Sequence, residues 1–294
     1  MPPELTLLSS PDWSDYELLD SGGGRKLERF NGYIFVRPEH QAIWLPNLPE
    51  MKWQAAQAVF RPARGYEMGG NWQSRHPIEP WQMQYKGLRF RAQLGVSRHV
   101  GVFPEQAAHW DWLAGLIRTA NRPVSILNLF GYTGLATLAA AQAGASVTHV
   151  DASKKSVAWA RENQALSNLD DRNIRWIIDD AMKFVLRESR RQVRYDGIIL
   201  DPPKFGRGPR GEVWECFDML PKLLESCRDI LTPQPLFIVI TAYAIRASAL
   251  SLHYALDEMM TGKRGSLEAG ELVAVERSAG RVLSLAIFAR WGSG

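Results

Sequence analysis

Residues Asn128 to Gly134 read NLFGYTG, between the apolar run Val124 to Leu127 and the alanine-rich GLATLAAAQAG that ends at Gly144. An apolar run, two glycines and a helix-forming stretch spell strand, tight turn, helix. The pattern then repeats down the chain. SVTHVDAS reads as a second strand, KKSVAWARENQALSN as a helix and IRWIID as a third strand. AMKFVLRESRRQ is a helix whose late Arg187, Arg190 and Arg191 suit the negative end of its dipole. YDGIILDPP is a fourth strand, WECFDMLPKLLESCRDIL a helix in spite of Pro221, and LFIVITA a fifth strand. Strands alternating with helices of this length predict right-handed crossovers in an α/β, doubly wound, mostly parallel sheet. The tail GELVAVERSAGRVLSLAIFARW holds two strand-like runs around Ser278-Ala279-Gly280 and closes the sheet as an antiparallel hairpin.

Upstream the texture differs. The first hundred residues are dense in turn formers and aromatics. FNGYIFV sets an Asn-Gly pair beside Tyr33 to Val36, and WQMQYKGLRF alternates on both sides of Lys86-Gly87, as a hairpin does. Gly70 to Pro80, with Asn71, Ser74, Pro77 and Pro80, reads as loop. We therefore expect a small β-rich N-terminal domain over 1–94 and the α/β domain over 95–294. Seven of the tryptophans, from Trp13 to Trp112, fall early; a small β core would bury most of them.

Composition narrows the class. With 294 residues, 46% of them apolar and 22% charged, the chain has the make-up of a globular protein. No apolar run is long enough for a membrane helix, and MPPELTLLSSPDW lacks the basic and apolar regions of a signal peptide, so the expected location is cytoplasmic, without a membrane partner. A net charge of +4 permits a polyanionic partner without demanding one. Cys216 and Cys227 have no zinc-type spacing and sit among leucines, which points to inert burial; the histidines show no metal-ligand spacing either, so no metal is expected.

In an open parallel sheet, ligands lie beyond the carboxyl ends of the strands, nearest the first strand-to-helix turn. Gly131 and Gly134 stand at that turn, where glycine permits positive φ and close approach. A dinucleotide site would want Gly-x-Gly-x-x-Gly, and the three glycines of that motif are not all present here. Asp151 ends the second strand, where a carboxylate can accept both ribose hydroxyls. Asp180, after Asp179, ends the third, where it can take an exocyclic adenine amine or cap the next helix. Asp179 reads as solvated. A turn without a phosphate cradle, a ribose-type acid and an adenine-type acid describe a phosphate-free adenosine ligand, S-adenosylmethionine. The fourth strand ends in DPPKFGRG, Asp201 to Gly208. Its prolines make a stiff shelf with outward carbonyls, and Gly206 and Gly208 give the following loop freedom to close over a substrate.

With NLFGYTG, VDAS and DPPKFG in this order, the chain from about Arg98 to Gly294 resembles the class I S-adenosylmethionine-dependent methyltransferases. More narrowly it resembles the bacterial 23S ribosomal RNA methyltransferases of the cytosine-C5 group and the related guanine-N7 enzymes. The resemblance implies a seven-stranded sheet and cofactor contacts from Asn128, Phe130, Gly131, Tyr132, Thr133, Gly134, Asp151, Ala152, Asp180, Ala181 and Asp201. HVGVFPEQ is similar to the family segment over the cofactor's methionine end, which implies Phe103 and Gln106 there. Asp201, Pro202 and Lys204 would hold the methyl acceptor.

Two departures qualify the match. The family arginine after the segment is Ala107 here, and the Ser-Cys-Ser that supplies the cytosine-C5 nucleophile is replaced by Thr241, Ala242 and Tyr243. The expected substrate is ribosomal RNA, methylated at an atom that needs no thiolate. A protein or small-molecule methyltransferase is the alternative, and a non-catalytic adenosine-ligand module the alternative of another class.

Overall fold

In the computed structural model, residues 2–10, 13–63, 69–243 and 245–293 are described. They form two compact units: Ser9–Glu105 with Val273–Leu285, and Met1–Leu8 with Gln106–Leu272 and Ala286–Gly294.

The elements in chain order begin with β1 (Leu5–Ser9), β2 (Tyr16–Gly22), β3 (Arg25–Phe30), β4 (Tyr33–Pro38), α1 (Glu50–Gln54), β5 (Ala58–Pro62), β6 (Gly70–Ser74), β7 (Trp81–Tyr85) and β8 (Leu88–Ala92). They continue as α2 (Ala107–Thr119), β9 (Ser125–Leu129), α3 (Leu135–Gln142), β10 (Ser146–Asp151), α4 (Lys154–Leu166), β11 (Ile174–Ile178), α5 (Ala181–Arg190) and β12 (Gly197–Leu200). The remainder are β13 (Phe205–Arg207), β14 (Val213–Glu215), α6 (Cys216–Asp229), β15 (Phe237–Ala242), α7 (Ala249–Met259), β16 (Ser266–Val275) and β17 (Val282–Gly292).

The large sheet has the order β1-β16-β17-β15-β12-β9-β10-β11. Strands β11, β10, β9, β12 and β15 run parallel, and β17 pairs antiparallel with β15. These seven strands, counting β16, are those the sequence predicts; β1 is an eighth, at the edge. Residues of β12 and β15 are all buried, because helices cover both faces of such a sheet and leave no solvated side. The alanines of α3 do the same work from the helix side: Ala139, Ala140 and Ala141 are buried and let the helix lie close. In α6, Pro221 sits on the exposed side while Leu220, Leu223, Leu224 and Cys227 pack into the core. The strand order turns back between β9 and β12, and this switch point places the crevice at the carboxyl ends of those strands.

In the N-terminal unit, β2-β3-β4-β5-β6 form one sheet and β7-β8 a separate hairpin. Lys86 and Gly87 both take positive φ at the β7-β8 turn, as the sequence requires of a two-residue connection. The expected loop at Gly70 to Pro80 is corrected over its first half, since Gly70–Ser74 is a strand paired with β5. Aromatic packing outweighs the turn formers there: Trp72 lies 5.3 Å from Phe35 and 5.4 Å from Phe60, ring to ring. Trp13 and Trp53 are buried. Glu28 and Arg37 are buried together, with Arg37 Nε and Nη2 donating to the two Glu28 carboxylate oxygens at 2.6 Å each. A second polar cluster draws on the far end of the chain: Ser278 Oγ donates to Asp20 Oδ1 at 2.6 Å, and Ser21 Oγ to Glu276 Oε2 at 3.0 Å.

Candidate active site

The turn after β9 is bent hard. Phe130 and Tyr132 hold φ of 58° and 49°, and Gly134 follows at 84°. Positive φ at two aromatic residues is strain that the surroundings must hold in place. Asp151, at the end of the neighbouring β10, supplies part of that hold: its Oδ2 accepts from the Tyr132 N–H at 2.9 Å and its Oδ1 from the Ser153 N–H at 2.8 Å.

The space beside the glycines is occupied by protein. A Cβ on Gly131 would lie 2.3 Å from Cε1 of the His149 ring, and one on Gly134 would lie 2.8 Å from Cβ of Ala160. His149 is fully buried, and burial drops its pKa to about 3, so the ring is neutral. Asn128 Nδ2 donates to Thr137 Oγ1 at 2.9 Å, and that hydroxyl stands 3.0 Å from His149 Nδ1. That contact fixes the orientation of the ring, with the donor and acceptor roles set by the tautomer. Asn128 thus joins a buried chain beneath the turn. Thr133 is buried, and its carbonyl accepts from Asn163 Nδ2 at 2.9 Å.

Asp151 has the chemistry of a hydroxyl acceptor. Burial raises its pKa, while the two backbone N–H groups pull the other way. Each oxygen accepts one backbone donor, which leaves further lone pairs for a diol. The nearby Tyr132 phenol is pushed up to about 12 by burial and by the Asp151 charge. Ala152 follows in the β10 to α4 turn. Asp180 is the N-cap of α5: its Oδ1 accepts from the Lys183 N–H at 2.9 Å. That cap uses one carboxylate oxygen and leaves the other available for an amine. Ala181, the first residue of α5, is buried.

Asp179 is not the solvated residue the sequence suggests. It is buried, and its carboxylate pairs with Arg187 at 2.6 Å and Arg210 at 3.4 Å, while accepting the Asp180 N–H at 2.9 Å. Two cations and a backbone donor offset the desolvation of one carboxylate.

At the end of β12, Gln106 Nε2 donates to Asp201 Oδ2 at 3.2 Å, so two residues far apart in sequence meet at the switch point. Phe103 belongs to the other unit, with its ring 4.7 Å from that of His99. Pro202 is buried; its carbonyl accepts no hydrogen bond among the described residues, whereas the Pro203 carbonyl accepts from Trp214 Nε1 at 2.7 Å and that of Lys204 from the Cys216 N–H at 3.0 Å. Lys204 is exposed.

The segment after this shelf is also a correction. In place of a free loop the chain forms the antiparallel hairpin β13-β14, with Phe205 opposite Glu215, Gly206 opposite Trp214 and Arg207 opposite Val213. Trp214, expected to open the helix WECFDMLPKLLESCRDIL, lies instead on β14, buried with its ring 4.8 Å from Phe130. It joins the strained turn to the proline shelf, and the alternation Val213-Trp214-Glu215 was its one signal. Both cysteines are buried in α6, and burial pushes their thiols up. Among the described residues no group of His, Cys, Asp or Glu is placed to hold a metal, and no helix is long and apolar enough to cross a membrane.

This strand order, with acids ending β10 and β12 and another opening α5, defines the methyltransferase class of doubly wound proteins. Comparison agrees. A family model described as S-adenosylmethionine-dependent methyltransferase matches residues 49–259. A solved S-adenosylmethionine-dependent methyltransferase from Agrobacterium tumefaciens is 48% identical, with a TM-score of 0.94 over 100% of this chain and 97% of that one. Ribosomal RNA large subunit methyltransferase K/L of Shewanella baltica is 40% identical over 151 residues, 50% of this chain but 20% of that protein. Ribosomal RNA large subunit methyltransferase I of Shewanella frigidimarina is 33% identical over 44% of this chain and 32% of its own length. The chain belongs to the S-adenosylmethionine-dependent methyltransferase family. The match to these two curated relatives spans no more than a third of their length.

Proposed function

We propose that this methyltransferase modifies a base of large-subunit ribosomal RNA at a nitrogen, or another atom that needs no covalent activation. The observation that carries the reading is the end of β15. By the resemblance, a C5 mechanism would draw its thiol from the residues after the fifth strand, where this chain has Thr241, Ala242 and Tyr243, and the two cysteines lie buried in α6. The names of the curated relatives support the RNA.

S-adenosylmethionine supplies an activated methyl on a sulfonium, already a good leaving group. The share of the protein is to bind, align and exclude water. In this reading Asp151 accepts the ribose hydroxyls and the second oxygen of Asp180 accepts the adenine amine. The turn from Asn128 to Gly134 shapes the wall beside them, with Phe130, Gly131, Tyr132 and Thr133 fixed by the chain beneath. Ala152 and Ala181 line the adenosine end, and Gln106 the methionine end. Gln106 orients Asp201, whose carboxylate receives an N–H of the acceptor; the Pro202 carbonyl offers a second acceptor and Lys204 meets phosphate or the ring edge.

The test is transfer of isotopically labelled methyl from S-adenosylmethionine to ribosomal RNA taken from a strain lacking this gene, followed by nucleoside mass spectrometry. An N-methylated base, lost in Asp201→Ala while the variant still binds S-adenosylhomocysteine, is the expected result. Label in 5-methylcytosine would overturn the nitrogen assignment, and label only in protein would overturn the RNA.

A further inference from the structure

The β13-β14 hairpin has two unlike faces. Cross-strand partners in an antiparallel pair share a face, so Gly206 and Trp214 lie on one side and Phe205, Glu215, Arg207 and Val213 on the other. The Trp214 side is buried, packed against Phe130 and bonded to the Pro203 carbonyl. The opposite side is open, with Phe205 and Val213 each 52% exposed and Arg207 exposed between solvent and strand. Arg207 makes no ion pair among the described residues, whereas Lys183 and Arg210, just outside this face, are tied to Glu212. Glu215 is the one carboxylate on the face.

An exposed ring beside a guanidinium that makes no ion pair among the described residues, on an arm that starts at the acceptor shelf, is the pairing that single-stranded nucleic acid recognition uses. The ring takes a base face and the cation takes the phosphate next to it. We propose that the outer face of β13-β14 receives a nucleotide flanking the methylated one, with a base stacked on Phe205 and its phosphate on Arg207. The proposal rests on the RNA reading above and adds to it a location and a strand state: the flanking nucleotide is unpaired, because a base in a duplex presents no free face. The Trp214 anchor explains why the arm holds its place without the RNA, and it ties the nucleotide's seat to the same strained turn that walls the cofactor.

The test is fluorescence anisotropy of the full chain, saturated with S-adenosylhomocysteine, against a labelled unstructured RNA oligonucleotide and the same strand annealed to its complement. The single strand is expected to bind more tightly. Phe205→Ala is expected to weaken it by about 5- to 100-fold, with Phe205→Trp restoring it. Arg207→Ala is expected to lower the slope of log affinity against log salt by roughly 0.7, one phosphate contact. Calorimetric affinity for S-adenosylhomocysteine is expected to stay unchanged in each variant. Wild-type affinity and slope in Phe205→Ala and Arg207→Ala would overturn the hairpin seat and leave the RNA reading standing. Wild-type protein that binds neither strand would overturn both, and loss of S-adenosylhomocysteine binding in Phe205→Ala would reassign the face to the cofactor.

Discussion

At the scale of single residues, Gly131 separates what a sequence states from what it leaves open. The missing Cβ is plain in NLFGYTG, but a glycine does not say which neighbour takes the space. Ligand approach was the expectation; the His149 ring is the occupant, since an added Cβ would sit within 2.5 Å of its Cε1 and Nδ1. Overpacking of this kind costs about 1–3 kcal/mol, so Gly131→Ala is expected to lower unfolding stability by that amount in denaturant titrations. In a His149→Ala background the ring is gone and the same substitution is expected to be nearly neutral, a coupling on the order of 0.5–3 kcal/mol. An equal cost in both backgrounds would refute the packing account. Asp179 carries the same lesson with charge: its two arginine partners come from α5 and from the β13-β14 turn, and no local pattern announces such a meeting.

At the scale of elements, Asp180 does a structural job that can be separated from the proposed one. Serine is as good an N-cap as aspartate, while alanine forfeits about 1 kcal/mol of helix stability. Asp180→Ser is therefore expected to keep the wild-type melting temperature and to lose affinity for S-adenosylhomocysteine, whereas Asp180→Ala loses both. A serine variant with full affinity would show that Asp180 is only a cap. The α/β half was legible because its central strands β9, β10, β12 and β15 are largely buried on both faces, and α3, α4 and α5 start at a glycine or a capping side chain. β9, β12 and β15 announce themselves as largely apolar runs that need no partner to be recognised. Helices α2 and α7 carry no assignment in the sequence reading, and several of the other elements missed depend on a neighbour for their identity. β5 and β6 define each other, five-residue α1 is too short for periodicity, and β13-β14 exists because Trp214 has Phe130 to lie against.

At the scale of the whole molecule, one buried ion pair of the N-terminal unit bears on stability in acid. Burial alone would push the Glu28 carboxyl up, but the Arg37 and Lys26 charges overcome it and hold it at about 2. A folded-state pKa below the unfolded one contributes stability that is complete above the unfolded value of 4.5 and is lost as pH falls toward 2. The drop is worth on the order of 3 kcal/mol. Urea unfolding is expected to show that loss between those two pH values, and Glu28→Gln to be less stable at neutral pH with a shallower dependence below pH 4.5. An unchanged acid slope in the variant would place the lability elsewhere.

The Asp20 and Glu276 cluster carries a consequence for the order of events in synthesis. Its members stand near opposite ends of the sequence, and the unit they close is built from Ser9–Glu105 and Val273–Leu285. A ribosome can deliver β2 to β8 early, yet the polar interior around Asp20 stays open until the β16-β17 tip has emerged. The α/β sheet is under the same schedule, since β1 takes its edge beside β16. Nascent chains stalled before residue 273 would hold β2 to β8 without the segment that closes their unit.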